Sequence, residues 1–311
     1  MDVAINALLT AVGLAMLCFG GNWLVSGGVV IAKKLRISNL VIGMTVVAYG
    51  TSTPELAATV AAAGAHSGII LGNVIGSNIA NIGMVIGIAA ILVPLAVSKE
   101  TLRKEIPIML GVSLLLVALS VDGELSQYDG IILLVSLLIF GYFTFKDAKK
   151  HREKNDDDVD EQKNNVYGKA AALIVIGVVL LGVGSYLAVE NAVVVAQEFG
   201  LSEKIIGLTV IAIGTSLPEL ITSIIAIRKG HTDIGVGNII GSNIYNILMI
   251  MGVGASLGGI IVSSDVFIDY AIMIAFSISL LAAMKWGVIN RALGIALGLS
   301  YLVYVVSSFF L

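Results

Sequence analysis

Apolar residues gather along this chain into ten long blocks, separated by short polar breaks and showing no period-two alternation. The blocks run from Val3 to about 32, then over about 39–63, 68–95, 105–121, 128–145, 170–197, 205–227, 234–258, 266–284 and 292–310. Most are about 18 to 25 residues long, which lets a helix cross a hydrocarbon layer about 30 Å thick. Barrel strands would read as short alternating runs instead. The pattern predicts an all-α membrane protein with ten transmembrane helices. The first block is read as a span and not a signal peptide, because Asp2 precedes it, no basic residue does, and it is too long.

Composition agrees. Hydrophobic residues make up 58% and charged ones 13%, with a mean hydropathy of +1.00, whereas soluble domains carry roughly 25% charged residues. The net charge of −3 contains no basic patch for nucleic acid. Basic residues concentrate in cytoplasmic loops, and with ten spans, 17 of the 18 fall on one side, Lys204 alone falling opposite. Both termini are therefore expected outside, and the polar linker 146–169 in the cytoplasm. The expected organisation is a first five-helix unit over 1–145, the linker, and a second unit over 170–311.

The chain contains one stretch twice. Gly50, Thr51, Ser52, Pro54 and Glu55 recur as Gly214, Thr215, Ser216, Pro218 and Glu219, an offset of 164. After one inserted residue, Gly72-Asn73-Val74-Ile75-Gly76-Ser77-Asn78-Ile79-xxx-Asn81 recurs as Gly237-Asn238-Ile239-Ile240-Gly241-Ser242-Asn243-Ile244-xxx-Asn246. Five crossings separate the copies, so the repeats are inverted in the membrane. Inverted repeats are a signature of secondary transporters, whose ion sites lie near the midplane where the repeats meet.

Proline lacks an N–H and clashes with the carbonyl four residues back, so Pro54 frees the carbonyl of Gly50 and Pro218 that of Gly214. At that depth such backbone must be buried in protein or face a polar cavity. Ser52 and Ser216 stand three residues before the glutamates and are expected on the same face as them. Each kink thus offers carbonyl, hydroxyl and carboxylate oxygens, a donor set for a hard cation such as calcium. Glu55 and Glu219 have no Lys or Arg nearby in sequence, so a divalent cation or protons must neutralise them. A permanently protonated pair is the bland alternative. An intramembrane aspartyl protease would need Asp residues in another local frame.

Asn73, Ser77 and Asn81 stand at i, i+4 and i+8, as do Asn238, Ser242 and Asn246, so each trio lines one helix face. Gly72 and Gly76, like Gly237 and Gly241, are expected to bring the third and eighth blocks against the kinked ones. Asn78 and Asn243 lie on another face, as candidates to satisfy freed backbone groups.

These two repeated motifs resemble the signature repeats of the cation/calcium exchanger superfamily, and within it the prokaryotic sodium/calcium exchangers. The resemblance implies a sodium/calcium antiporter with three sodium sites around one calcium site. It assigns calcium to Glu55 and Glu219 with backbone oxygens of Thr51 and Thr215, and sodium to Ser52, Ser77, Ser216 and Ser242 with the carbonyls of Ala48 and Ala212. Asn81 and Asn246 complete the set; potassium-dependent members carry Asp at the position of Asn246, so potassium co-transport is not expected. The resemblance also implies that the first and sixth spans slide to alternate access. The linker has no room for the calcium-sensing domains of animal exchangers.

The implied partners are the lipid bilayer and calcium and sodium ions, with no prosthetic group, no nucleic acid, no obligatory protein partner and no enzymatic activity. A proton-coupled cation antiporter is the alternative, since the same carboxylates can carry protons, and a cation channel is a further one. Cys18 reads as a packing residue. His66, His151 and His231 lie in loops or linker and form no metal cluster. Glu190 aligns with Ser26 and breaks the symmetry. Asp265 and Asp269 sit near an outer helix end, and Asp122, Glu124 and Asp129 form an external turn.

Overall fold

The computed structural model describes residues 3–98, 101–153, 165–200, 212–285 and 287–308. The described helices are α1 (Val3–Leu35), α2 in two pieces (Asn39–Thr51 and Thr53–Ala62), α3 (Ser67–Leu92), α4 (Ile106–Leu119) and α5 (Gln127–Glu153). They continue with α6 (Asn165–Glu198), α7 in two pieces (Ala212–Thr215 and Leu217–Arg228), α8 (Thr232–Gly258), α9 (Val266–Ser279) and α10 (Arg291–Ser307). The ten blocks of the sequence and the ten helices correspond one to one. The start of the seventh block, 205–211, and linker residues 154–164 lie outside the described residues. At its edges the linker is helical, because α5 continues to Glu153 and α6 begins at Asn165. The linker's first residues, Lys146 to Glu153, are mostly good helix formers, and the turns of α5 propagate through them.

The helices sort into a core and a rim. In their most apolar windows α3 is 83% and α8 94% buried, against 22% for α1 and 28% for α6. Ile79, Ile82 and Ile86 of α3 and Ile244, Ile247 and Ile250 of α8 are fully buried in one apolar cluster. On the rim, α1 and α6 pack backbone to backbone through glycines. A Cβ on Gly13 would sit 2.5 Å from Ala188 N, one on Gly20 2.9 Å from Gly177 O, and one on Gly27 2.8 Å from Ala170 O. Lipid supplies no hydrophobic drive for helix association, so such close packing between small residues holds the pair together.

Among the described residues, two short antiparallel ladders tie the halves together. Strand β1 (Leu95–Ala96) pairs with β4 (Val288–Ile289), and β2 (Glu124–Leu125) pairs with β3 (Ile260–Ile261). Strands β1 and β3 are repeat equivalents, as are β2 and β4. Each ladder therefore joins one strand from each half, one ladder at each end of the bundle, as an inverted pseudo-twofold arrangement demands.

Candidate functional site

The kinks fall where proline puts them. In α2 the helix breaks at Ser52 (φ −83°, ψ 2°), and in α7 at Ser216 (φ −90°, ψ 3°), with proline at the start of each following piece. Each glutamate stands in the first turn of that second piece. The freed carbonyl of Gly214 accepts a hydrogen bond from Ser185 Oγ of α6 at 3.4 Å.

Glu55 is 2% and Glu219 0% exposed, close enough to interact electrostatically. Around Glu219 the donors come from both halves. Ser52 donates to Glu219 Oε1 at 3.2 Å and Ser242 to the same atom at 3.4 Å. Ser52 was expected beside Glu55, its neighbour in sequence; the break at Ser52 turns its hydroxyl across the interface instead. Thr51 Oγ1 donates to Asn238 Oδ1 at 3.1 Å and lies 3.3 Å from Ser242 Oγ, also contacting the carbonyl of Ala48 at 3.2 Å. Asn238 is oriented from its other end, donating to Ser223 Oγ at 2.9 Å.

Other buried polar atoms are less satisfied. Both carboxylate oxygens of Glu55, Oε2 of Glu219, Ser77 Oγ and Ser216 Oγ are buried with no hydrogen-bond partner among the described residues. So are the Oδ1 atoms of Asn81 and Asn246. Leaving that many buried acceptors and hydroxyls unpaired is costly unless they meet a cation, because each forfeits its hydration. Thr215 is half-buried and lines a cleft together with Ser77, and Ala212 opens the described part of α7.

Asn78 and Asn243 clasp each other across the two halves. Each donates to the other's backbone carbonyl, at 3.3 and 3.4 Å. Each side-chain oxygen then accepts from the opposite half: Asn81 Nδ2 reaches Asn243 Oδ1 at 3.0 Å, and Asn246 Nδ2 reaches Asn78 Oδ1 at 3.1 Å. These bonds engage the amide nitrogens of Asn81 and Asn246, while their oxygens have no hydrogen-bond partner among the described residues. Both residues begin π-helical turns, Asn81–Ile86 and Asn246–Met251, a local widening common at functional positions. The thioethers of Met273 and Met109 also face Asn78 and Asn243, at 3.7 and 3.6 Å. Sequence reasoning overlooked Ser223, Ser185, Met109 and Met273. The two methionines were detectable, being 164 positions apart and followed at equal spacing by Ser113 and Ser277.

The glycine expectation holds for one copy only. A Cβ on Gly237 would sit 2.8 Å from Leu40 O, and one on Gly241 2.7 Å from Met44 Cα, so α8 is sealed against α2. A Cβ on Gly72 or Gly76 would meet nothing within 4 Å. These two line a cleft of about 460 Å³ that reaches Ser77 and Thr215.

The sodium/calcium exchanger protein family model matches residues 5–146 and 169–310. The chain belongs to that family. It is 37% identical to the putative antiporter CaxA of Alkalimonas amylolytica, over 96% of this chain and 97% of that protein. It is 32% identical to the sodium/calcium exchanger MaX1 of Methanosarcina acetivorans, over 99% of this chain and 100% of that one. Its fold matches the solved sodium-calcium exchanger NCX_Mj, soaked with zero Na+ and Ca2+, with a TM-score of 0.86 and 32% identity over 98% of this chain and 99% of that chain. The two matched segments of the family model give each half of this exchanger-family chain one copy of the same unit.

Proposed function

We propose that the chain is an antiporter that moves three sodium ions one way across a cell membrane for one calcium ion the other way. The observation that carries this reading is the convergence of Glu55 and Glu219, one from each half, with three of their four carboxylate oxygens unpartnered in a buried site. Calcium favours six to eight oxygen ligands, carboxylates among them. Glu55 and Glu219 with the backbone oxygens of Thr51 and Thr215 supply such a set. Ser52, Ser77, Ser216 and Ser242, the carbonyls of Ala48 and Ala212, and the oxygens of Asn81 and Asn246 supply neutral donors for sodium.

Charge gives the cycle its direction. With both glutamates ionised, one calcium brings the pair to neutral and three sodium ions bring it to +1. Exchange is then electrogenic, and inward sodium drives calcium out. Alternating access follows from the inequality of the two copies. The open face of α3 and the sealed face of α8 are repeat equivalents, so exchanging their packing closes the cleft and opens its counterpart on the other side. The basic-residue asymmetry supports both termini outside, the linker in the cytoplasm, and the described cleft facing outward. The division into units 1–145 and 170–311 around the linker 146–169 completes this reading.

Radioactive calcium uptake into sodium-loaded proteoliposomes, at clamped pH, tests it. Uptake is expected to require internal sodium and to vanish in Glu55→Gln and Glu219→Gln. Uptake driven by a pH gradient without sodium would replace sodium by protons as counter-ion. Conductance without obligatory exchange would make the protein a channel.

A further inference from the structure

The fourth helix of each half, taken in the first half with the residue that caps it, carries its own repeated motif. Glu105, Met109 and Ser113 stand at positions equivalent to Asp269, Met273 and Ser277, an offset of 164 throughout. The geometry confirms the register: Ser113 Oγ donates to Met109 O at 3.0 Å and Ser277 Oγ to Met273 O at 2.9 Å. Met109 and Met273 face equivalent asparagines. One helical turn before each methionine stands a carboxylate, and inversion puts the two at opposite ends of the bundle.

Their surroundings differ as the two faces do. Asp269 is half-buried and lines the open cleft together with Gly72, Gly76, Ser77 and Tyr304. It also lines an adjoining cavity of about 370 Å³ with Asp265. A neutral group, Tyr304 Oη, donates to its Oδ1 at 3.1 Å, and Ile268 stands where the other half has Lys104. Ser77, 3% exposed, also lines the cleft and holds a buried hydroxyl with no hydrogen-bond partner among the described residues. Glu105, on the closed face, is 6% exposed with Lys104 Nζ 3.5 Å away, and Lys104 also binds Asp147 of α5.

Building on the exchanger reading, we infer that Asp269 and Glu105 are a repeat-related pair of mouth carboxylates, each binding incoming sodium or calcium transiently on the face that is open. A negative group in a low-dielectric cleft raises the local cation concentration and the rate of capture. On the shut face Glu105 is buried beside Lys104, which it shares with Asp147, and opening of the inner cleft is what would bring its carboxylate to solvent. Neither acid belongs to the central cluster around Glu55 and Glu219; both act before an ion reaches it.

The test is calcium flux in uniformly oriented proteoliposomes, with calcium titrated on one face against saturating sodium on the other. Asp269→Asn is expected to raise the half-saturating calcium on the outer face by about tenfold at low salt, less at high salt, through lost attraction. The inner value and the maximal rate stay unchanged. Glu105→Gln gives the mirror result, and Asp269→Glu and Glu105→Asp, which keep the charge, restore wild-type values on their respective faces. These charge-retaining variants separate loss of attraction from loss of folding. Equal shifts on both faces, or no shift on either, would overturn the proposal. Wild-type protein without sodium-dependent calcium flux would instead overturn the exchanger reading on which it rests.

Discussion

Asn78 and Asn243 hold each other: each side-chain amide donates to the other's main-chain carbonyl, at 3.3 and 3.4 Å, across the interface between the two halves. Because their oxygens in turn fix Asn246 and Asn81, one reciprocal clasp sets the direction of two buried, unpartnered amide oxygens. Asn78→Ala strands the carbonyl of Asn243 and the amide of Asn246. A buried polar group left unpaired costs roughly 1–3 kcal/mol, so the melting temperature in detergent is expected to fall. Asn243→Ala should do the same, and the double variant should lose less than the sum, since the two share partners.

Ser52 and Ser216 are repeat equivalents in unequal places. Ser52 donates to Glu219, whereas Ser216 Oγ has no partner among the described residues. Ser52→Ala is expected to disturb the Glu219 carboxylate before any ion binds, and Ser216→Ala only the ion-bound state. Thermal stability without ions should therefore fall in Ser52→Ala and hold in Ser216→Ala, while both weaken sodium activation of calcium flux. Equal stability losses in the two variants would count against the asymmetry.

The glycines give a matched pair of tests for alternating access. Gly241→Ala forces a Cβ to within 2.7 Å of Met44 backbone, and overpacking of that kind costs about 1–3 kcal/mol. Gly76→Ala meets open space, so its melting temperature should match wild type. If α3 must later close as α8 now does, Gly76→Ala nevertheless slows transport severely. Normal turnover in a stable Gly76→Ala protein would rule out that closure.

His231, in the loop before α8, is held below the ordinary histidine range by partial burial and then by the charges of Lys33 and Lys229. A depressed folded-state value favours the neutral ring, so the contribution to stability is present above the unfolded-state value and is lost as pH falls through the folded one. An NMR titration of the ring should give a midpoint below about 6.5, and Lys33→Ala should move it upward.

Lys229 also donates to Ser26 Oγ at 2.9 Å, linking the end of α7 to α1. Ser26→Ala removes that exposed contact together with the bond from Ser26 Oγ to the carbonyl of Asn22 in its own helix, and is expected to change stability by less than about 0.5 kcal/mol. If sliding of α1 is part of the cycle, the same change should alter the rate of calcium flux more than the melting temperature.

The sequence by itself determined the ten spans and the inversion of the repeats, and it singled out the pair Glu55 and Glu219. Span length follows from bilayer thickness, and a carboxylate in an apolar block is conspicuous because burying it is expensive. Periodicity along one helix also put Ser77 and Asn81 on one face, and Ser242 and Asn246 on another. What tertiary structure decided is which half each side chain serves. Ser52 crosses to Glu219, Asn78 crosses to Asn243 and Asn246, and Met273 crosses to Asn78, because the kinks and the inverted packing bring residues from opposite halves within 4 Å. The inequality of the two copies was likewise illegible. Gly76 and Gly241 occupy equivalent positions in nearly identical motifs, and only the packing of a particular conformation leaves one open and seals the other.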